Sequence, residues 1–390
     1  MKKVFVAGDN LITSLGFSTE ENMSGLIRNS SGFQRIDDRS LSPIPLPLST
    51  IDSILLQERF LSFHHNQNSE YQDDNFTRLE KLFLLSISDA IKGISPDIFG
   101  ERTLLIISTT KGNIDLLEEK NASVFDVKRI FLWKMADVIR NYFGFHNTPV
   151  IISNACISGV LAIGTAFRFL RSGLYENAVV TGGDILTEFV ISGFQSFQAL
   201  SPEPCKPFDL HRNGLSLGEG CGTIILTNDS SRIKGQKIIV EGMSTTNDAN
   251  HISGPSRTGE ELAMAIRNAM KEAEVRSSDV GYISAHGTAT PYNDEMESKA
   301  FAIAKLQEVP LNSFKGYWGH TLGAAGVIES IAAIHSLKKD IVIKSAGYKE
   351  SGVSEKINTI KQNREMHFNH FLKTASGFGG CNAALIVGKD

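Results

Sequence analysis

The stretch VIISNACISGVLAIGTAFRFLR, residues 150–171, sets the reading of the whole chain. Val150, Ile151 and Ile152 form a β-branched apolar run of the kind buried on both faces of a parallel sheet. Beyond Asn154-Ala155-Cys156 the residues Ile157, Val160, Leu161, Gly164 and Phe167 recur at helical spacing. Cys156 therefore sits on a strand-to-helix junction, at the N-terminus of a predicted helix. Unpaired backbone N–H groups and the positive end of the helix dipole favour a thiolate there, the form that attacks carbon. A small buried hydrophobe is the competing reading, because free cysteine is among the most buried residue types.

The chain around it is long enough, at 390 residues with 41% hydrophobic and 21% charged, for a large core in two domain-sized halves. A net charge of -4 argues against a nucleic-acid partner and leaves an acidic protein only a local basic patch to dock on. The cysteines, Cys156, Cys205, Cys221 and Cys381, show neither CxxC spacing nor disulfide-scaffold density, so a reducing, cytoplasmic setting is expected. The apolar run after Met1-Lys2-Lys3 stops at Gly8, too short for a secretion signal, and no run is long enough to span a bilayer.

In chain order, Lys3 to Ala7 reads as a strand, Gly8-Asp9-Asn10 as a turn, and Ser18 to Arg28 as a helix with Ser18 and Glu21 forming its cap. Residues 30–76 lose all periodicity: SLSPIPLPLST suits extended surface chain and HHNQNSEYQDDN an exposed loop. His64 and His65 lack partners at metal-ligand spacing and read as part of that loop. Asn75 to Ile91 is an amphipathic helix, Thr103 to Ser108 a buried strand, and Phe125 to Phe143 a helix. On the last of these, Lys128, Arg129, Lys134 and Arg140 form either a solvated face or a docking patch. Ala178 to Thr181 and Gly222 to Thr227 read as strands separated by a long loop containing CKPFDLHRNGLSLGEG.

Residues 228–236, NDSSRIKGQ, have linker composition, and beyond them the pattern restarts. Lys237 to Glu241 and Val280 to Ser284 read as strands, Glu260 to Ala273 and Ile328 to Leu337 as helices. The second half echoes the first: KKVFVAGDN with KIIVEGMST, TLLIISTTKG with DVGYISAHGT, the turn at Cys156 with one at His320, and GEGCGTIILTND with GFGGCNAALIVGKD. Two similar α/β units are expected, over 1–235 and 236–390, the first enlarged by insertions. In such units sites form at the carboxyl ends of strands, where three of the four echoed turns carry reactive residues.

Those residues are few. His286 follows a strand in YISAHGTATPYNDE, with Thr288 and Thr290 close behind. LNSFKGYWGHTLGAAGVIES sets His320 at the second strand-to-helix turn, among glycines that permit close backbone approach, with Lys315 before it and Glu329 after. A Lys315 pair with Glu297 or Glu329 is equally a structural arrangement of buried charges. Phe378 stands between glycines in SGFGGCN, free to swing or simply packed.

NACISG, CKPFDLHRNGLSLGEG, HGTATPYNDEME, KGYWGHTLGAAG and GFGGCN together, in that order, resemble the motifs of elongating β-ketoacyl-acyl-carrier-protein synthases over nearly the whole chain. The resemblance implies a thiolase-like α/β fold, two duplicated halves in a layered α-β-α-β-α core. It implies decarboxylative Claisen condensation of an acyl group on Cys156 with a malonyl-carrier thioester, in fatty-acid or in specialised polyene or aryl-polyene synthesis. Cys156 would be the acylated nucleophile, His286 and His320 the decarboxylation pair, Lys315 and Glu329 their electrostatic support, and Phe378 the gate. Thr288 and Thr290 would contact the pantetheine arm, with Lys111 and Gly379 also on the substrate path. No metal or resident cofactor is implied, since the substrates ride on the phosphopantetheine of an acyl carrier protein. A homodimer, or a heterodimer with a related subunit, is expected, with Lys206, Lys128 and Arg129 as candidate contacts for the carrier.

The chain departs from the family pattern at Lys111, where an apolar gate residue is usual, at Trp318, where a small hydroxyl residue is usual, and at Ser376, where an aromatic is common. Bulky RIFLWK, residues 129–134, stands where relatives form the far wall of the acyl pocket, so a shorter or differently shaped pocket is expected. The competing functions are a thiolase, kept open by Cys381, and a non-catalytic chain-length partner, against which the intact Cys156 counts. A zinc site from Cys156, His286 and His320 matches by ligand type, but Lys315 opposes a cation.

Overall fold

The computed structural model describes residues 2–65, 75–94, 96–118, 125–249 and 254–390. Its first half runs β1 (Val4–Ile12), α1 (Thr19–Ile27), β2 (Gln34–Ile36), β3 (Leu46–Leu48), α2 (Ser53–His65) and α3 (Arg78–Ala90). It continues with β4 (Thr103–Ser108), α4 (Leu132–Phe143), β5 (Val150–Ile152), α5 (Ser158–Arg171), β6 (Asn177–Asp184), α6 (Glu188–Ser196) and β7 (Gly220–Thr227). The second half runs β8 (Ile238–Asn247), α7 (Glu260–Ala273), β9 (Val280–Ser284), α8 (Pro291–Ile303), β10 (Pro310–Asn312), α9 (Lys315–Trp318) and α10 (Ala325–Lys338). Short β11 (Ile341–Val342), β12 (Asn358–Thr359) and β13 (Arg364–Glu365) precede the closing pair β14 (His370–Gly377) and β15 (Cys381–Lys389).

Eleven strands form one sheet in the order β12-β10-β9-β14-β15-β8-β1-β7-β6-β4-β5. Apart from the short edge strand β12, this order is a mirror about the β8–β1 seam, and each of the four echoed segments falls at a matching place. Among the described residues, two strand pairs, Val4 with Val240 and Phe5 with Ile239, join the halves across that seam. Alternation along each strand then sorts side chains by face. Leu104, Ile106 and Val180 join α5 and α10 in a central core, whereas Leu105, Ile107 and Val179 face α3 and α4. In the second half Tyr282, Phe371 and Ala375 point to the central core, and Ile283, Leu372 and Ala384 to α7 and α8. The result is five layers, α-β-α-β-α, with α5 and α10 in the middle.

Those two helices cross backbone against backbone. A Cβ on Gly326 would lie 2.2 Å from the Val160 nitrogen, and one on Gly159 2.6 Å from the Val327 nitrogen. Glycine is required there because no side chain fits.

The sequence expectations fail in several places: the helix expected over Phe125–Phe143 is a 3-10 turn, Val127–Ile130, followed by α4 from Leu132, and β5, at the sheet's edge, is half-buried rather than covered on both faces. β1 runs on through Gly8-Asp9-Asn10 instead of turning, because a bulge between Val6 and Gly8 keeps the ladder to β7 in register. Residues 30–76 are not all extended chain: they hold the β2–β3 pair and α2, which buries Leu56, Phe60 and His64 at helical spacing. His64 is not on a solvated loop but is buried in the last turn of α2, stacked on Phe60 with ring centroids 5.6 Å apart. The rest of that predicted loop, 66–74, lies outside the described residues. Arg129 is not solvated either, being ion-paired to the fully buried Glu80.

Candidate active site

The parallel strands β4, β5 and β6 of one half and β9, β10 and β14 of the other end at the same edge of the central layer. Chain leaving those ends builds a cleft of about 430 Å³ whose lining includes Cys156, His286, His320, Thr288, Thr290 and Phe378. Cys156, two residues before α5, is a free and nearly buried thiol. Its sulfur and one nitrogen of each histidine all lie within 4.8 Å of one another. Three turns at this edge hold a non-glycine residue in the left-handed region: Ala155 before Cys156, Ala289 after His286 and Leu322 after His320. Such strain, roughly 1–3 kcal/mol each, persists only where the surroundings over-determine it.

What surrounds the turns is a set of buried carboxylates. Asp184, at the end of β6, accepts from Gly323 N–H at 2.7 Å and from the Thr109 hydroxyl and Thr110 N–H. It thus ties the β4 exit to the His320 turn, and burial raises its carboxyl to about 6. Asp294 accepts from Phe208 N–H at 2.7 Å and from Thr288 N–H at 2.9 Å, and burial likewise raises it to about 6. Glu297 accepts from His286 N–H at 2.9 Å and Gly287 N–H at 2.6 Å. The CKPFDLHRNGLSLGEG loop clamps the same region, since Cys205 donates to the Lys315 carbonyl and the Ser216 carbonyl accepts from His320 N–H.

These contacts decide which ring nitrogen carries each histidine's proton. Leu322 N–H donates to Nδ1 of His320 at 3.1 Å, so that ring keeps its proton on Nε2, a buried atom with no hydrogen-bond partner. The Lys315 ammonium, which can only donate, stands 3.3 Å from Nδ1 of His286 and 2.6 Å from its carbonyl oxygen. Both imidazoles therefore present Nε2–H to the cleft. Their rings meet edge to face, 5.2 Å apart. Burial and the charge of Lys315 hold both well below the ordinary histidine range, so both are neutral. The same tautomers work against a zinc ion, which needs the Nε2 lone pairs that these protons occupy.

Lys315 pairs with Glu329, not Glu297, at 2.6 Å, and both are buried. Phe378 is partly exposed and packs on Phe194 and Phe197, with centroids 5.8 and 5.1 Å away. Gly377, where a Cβ would stand 3.0 Å from the Cys156 nitrogen, lets the end of β14 approach the Cys156 backbone. Two expected substrate contacts are not in the lining: Lys111 is exposed outside the cleft, and Gly379 supplies only a left-handed turn beside Phe378. The expected thiolate is also corrected. Burial pushes the Cys156 thiol up to about 12, and Lys315 offsets only part of that. The dry surroundings thus oppose the ionisation that the junction position favours.

Sequence reasoning named Cys156, both histidines, Lys315, Glu329 and Phe378, which the structure brings together, but missed Asp184 and Asp294. The local signals were an Asp closing the apolar strand NAVVTGGD for Asp184, and for Asp294 an acid in the first turn of the helix that follows HGTAT.

The chain is 28% identical over its full length to 99% of a 3-oxoacyl-[acyl-carrier-protein] synthase 2 from Vibrio harveyi. Over 65% of its length it is 30% identical to 63% of a putative polyketide beta-ketoacyl synthase 1 from Streptomyces cyaneus. Its fold superposes with TM-score 0.89 on the ishigamide ketosynthase/chain length factor, at 25% identity over 100% of this chain and 99% of that one. The ketosynthase ApeO with its chain length factor ApeC, from Xenorhabdus doucetiae, matches with TM-score 0.85 at 24% identity over 100% and 98%. With residues 1–232 matching the N-terminal and 238–349 the C-terminal domain model, the chain belongs to the beta-ketoacyl synthase family of condensing enzymes.

Proposed function

We propose that the cleft performs decarboxylative condensation with Cys156 as the acyl carrier, His286 and His320 as paired N–H donors, and Phe378 as a movable wall. The observation that carries this reading is the pair of buried neutral imidazoles, each held to the same tautomer, beside a buried thiol. In the first step the thiol attacks an acyl thioester, and its proton leaves with the departing carrier thiol, so the exchange is neutral in protons. Backbone N–H groups at Cys156 and Phe378 would hold the developing oxyanion, worth about 3 to 4 kcal/mol per tetrahedral step. In the second, a malonyl thioester loses CO2, and its enolate oxygen accepts both Nε2–H groups. The carbanion attacks the acyl-Cys156 carbonyl, the β-ketoacyl thioester leaves on its carrier, and Cys156 thiolate takes one proton from solvent. No resident cofactor enters this sequence.

Thr288 and Thr290, hydrogen-bonded to each other at 2.8 Å in the cleft wall, suit the pantetheine arm. An acyl carrier protein is the proposed donor and acceptor. Lys206, though paired to Glu203, and exposed Lys128 remain contacts for it, whereas Arg129 is committed to Glu80. Phe131 and Trp133 do not enter the cleft: they stack on each other while about half exposed. That apolar face suits a second subunit, identical or related, and there RIFLWK would shorten the acyl pocket from across the interface. Among the described residues no helix is long and apolar enough to cross a membrane, and the four free thiols favour the cytoplasm.

The thiolase alternative is weaker, because Cys381 is not in the cleft lining and turns toward the Phe378 carbonyl at 3.4 Å. The test is to incubate the protein and Cys156→Ala with short, long and aryl-unsaturated acyl-carrier thioesters and weigh both by mass spectrometry. An adduct lost in the variant supports the reading, and the preferred chain points to the pathway. No adduct from any donor would favour a non-catalytic partner.

A further inference from the structure

Lys373, in the middle of β14, is a fully buried cation beneath the two histidines. Phe371 and Ala375, two residues to either side, belong to the central core, so Lys373 points into the layer that holds α10. Its Nζ lies 2.7 Å from Glu329 Oε2, in ion-pair rather than hydrogen-bond alignment, while Lys315 holds Oε1 at 2.6 Å. The same ammonium donates to the carbonyls of Ser284 at 3.2 Å, Ala285 at 3.3 Å and Thr374 at 2.8 Å. Ser284 and Ala285 are the two residues before His286. The Thr374 hydroxyl accepts from His286 N–H at 3.1 Å and donates to Glu297 at 2.8 Å. One dipeptide of β14 therefore fixes His286 from beneath.

Burying an ammonium is costly unless it is paired and hydrogen-bonded. Here an apolar residue would complete the strand's alternation, yet the chain keeps a lysine. With Lys315 alone, Glu329 would have one oxygen facing no cation. The second lysine fills that place and leaves the Lys-Glu-Lys group with one net positive charge.

We propose that Lys373 is a positioning residue for decarboxylation: it pins Glu329, and through Glu329 and Lys315 the ring of His286. This rests on the condensing reading of the site. Its charge acts in the same sense. The groups around the two rings are Lys315, Lys373, Glu329, Glu297, Asp294, Asp184 and Cys156, and both lysines oppose protonation of either ring. A protonated ring would turn an Nδ1–H toward the Lys315 ammonium or Leu322 N–H, so the active form is neutral and activity falls as pH drops through the ring's pKa. Removing one cation raises that pKa and moves the acid limb to higher pH.

The experiment compares the full chain with Lys373→Met and Lys373→Gln, measuring CO2 release from malonyl-carrier thioester and acyl loading of Cys156, from about pH 5 to 9. Lys373→Met is expected to lose about 100-fold in decarboxylation and less than about fivefold in loading, with its acid limb shifted upward. Lys373→Gln keeps N–H donors for the strand carbonyls, so it should recover part of the rate but not the limb, and it carries the test if the Met variant does not fold. Variants with the wild-type rate and limb, or variants losing loading and decarboxylation equally, overturn the proposal. A wild type that neither loads nor decarboxylates overturns the condensing reading beneath it instead.

Discussion

The turn at Cys156 and the turn at His320 occupy matching places in the two halves. Each links a short parallel strand to a buried helix, and the two helices meet at Gly159 and Gly326. They differ in how firmly the functional side chain is committed. His320 is gripped by Leu322 N–H on its ring, and its backbone is pinned to Ser216 and Gly218. Burial raises the Cys156 thiol, and in the proposed condensation its proton leaves with each departing carrier thiol. A donor must offer the same proton at every turnover, whereas a nucleophile must surrender its own and recover it. Duplication supplied one scaffold, and the local contacts made it rigid on one side and exchangeable on the other.

The sharpest way to break this contrast is to delete each side chain. Cys156→Ala should lower condensation by at least about 10 000-fold and abolish the acyl adduct. His320→Ala should slow CO2 release by about 100- to 1000-fold yet still accept acyl groups. Equal loss of both steps in the histidine variant, by adduct mass and CO2 release, would erase the division of labour. Next in size is the crossing that both turns share. Gly326→Val should cost more than about 3 kcal/mol by urea unfolding, since the added atoms meet Val160's backbone rather than a movable side chain.

A subtler effect sharpens the nucleophile's side. With the thiol near 12, the thiolate fraction rises about tenfold per pH unit, so alkylation of Cys156 by iodoacetamide should climb steadily from about pH 7 to 10. A plateau near neutrality would show that the helix end wins over burial after all. The smallest effect lies far from either turn. Ser18→Ala and Thr77→Ala remove the capping boxes of α1 and α3 and should each cost about 1 kcal/mol without separating loading from decarboxylation.

What could be read from the sequence tracks how local the cause is. β4, α7 and β9 fall where their apolar spacing predicts, and the Ser18 cap is the one its motif announces. α2 and α6 were not foreseen, since their burial depends on neighbours from other parts of the chain. The reactive side chains were recognisable because each sits in a turn with its own motif. The tautomers were not: that of His286 depends on Lys315 arriving from another turn, and that of His320 on how its own turn folds Leu322 N–H back onto the ring. The thiolate expectation failed for the same reason: the helix end is local and the desolvation is not. Lys373 did leave a trace, a lone cation inside the alternating HFLKTASG, though its partner on α10 is 44 residues upstream in the chain.

The glycine crossing of α5 and α10 also limits how such a protein can diversify. Because the two central helices touch through backbone, their crossing has no spare volume that a mutation could fill. Changes in the cleft's shape must then come from its own lining, Phe194 and Phe197 among it, while the crossing stays a fixed datum.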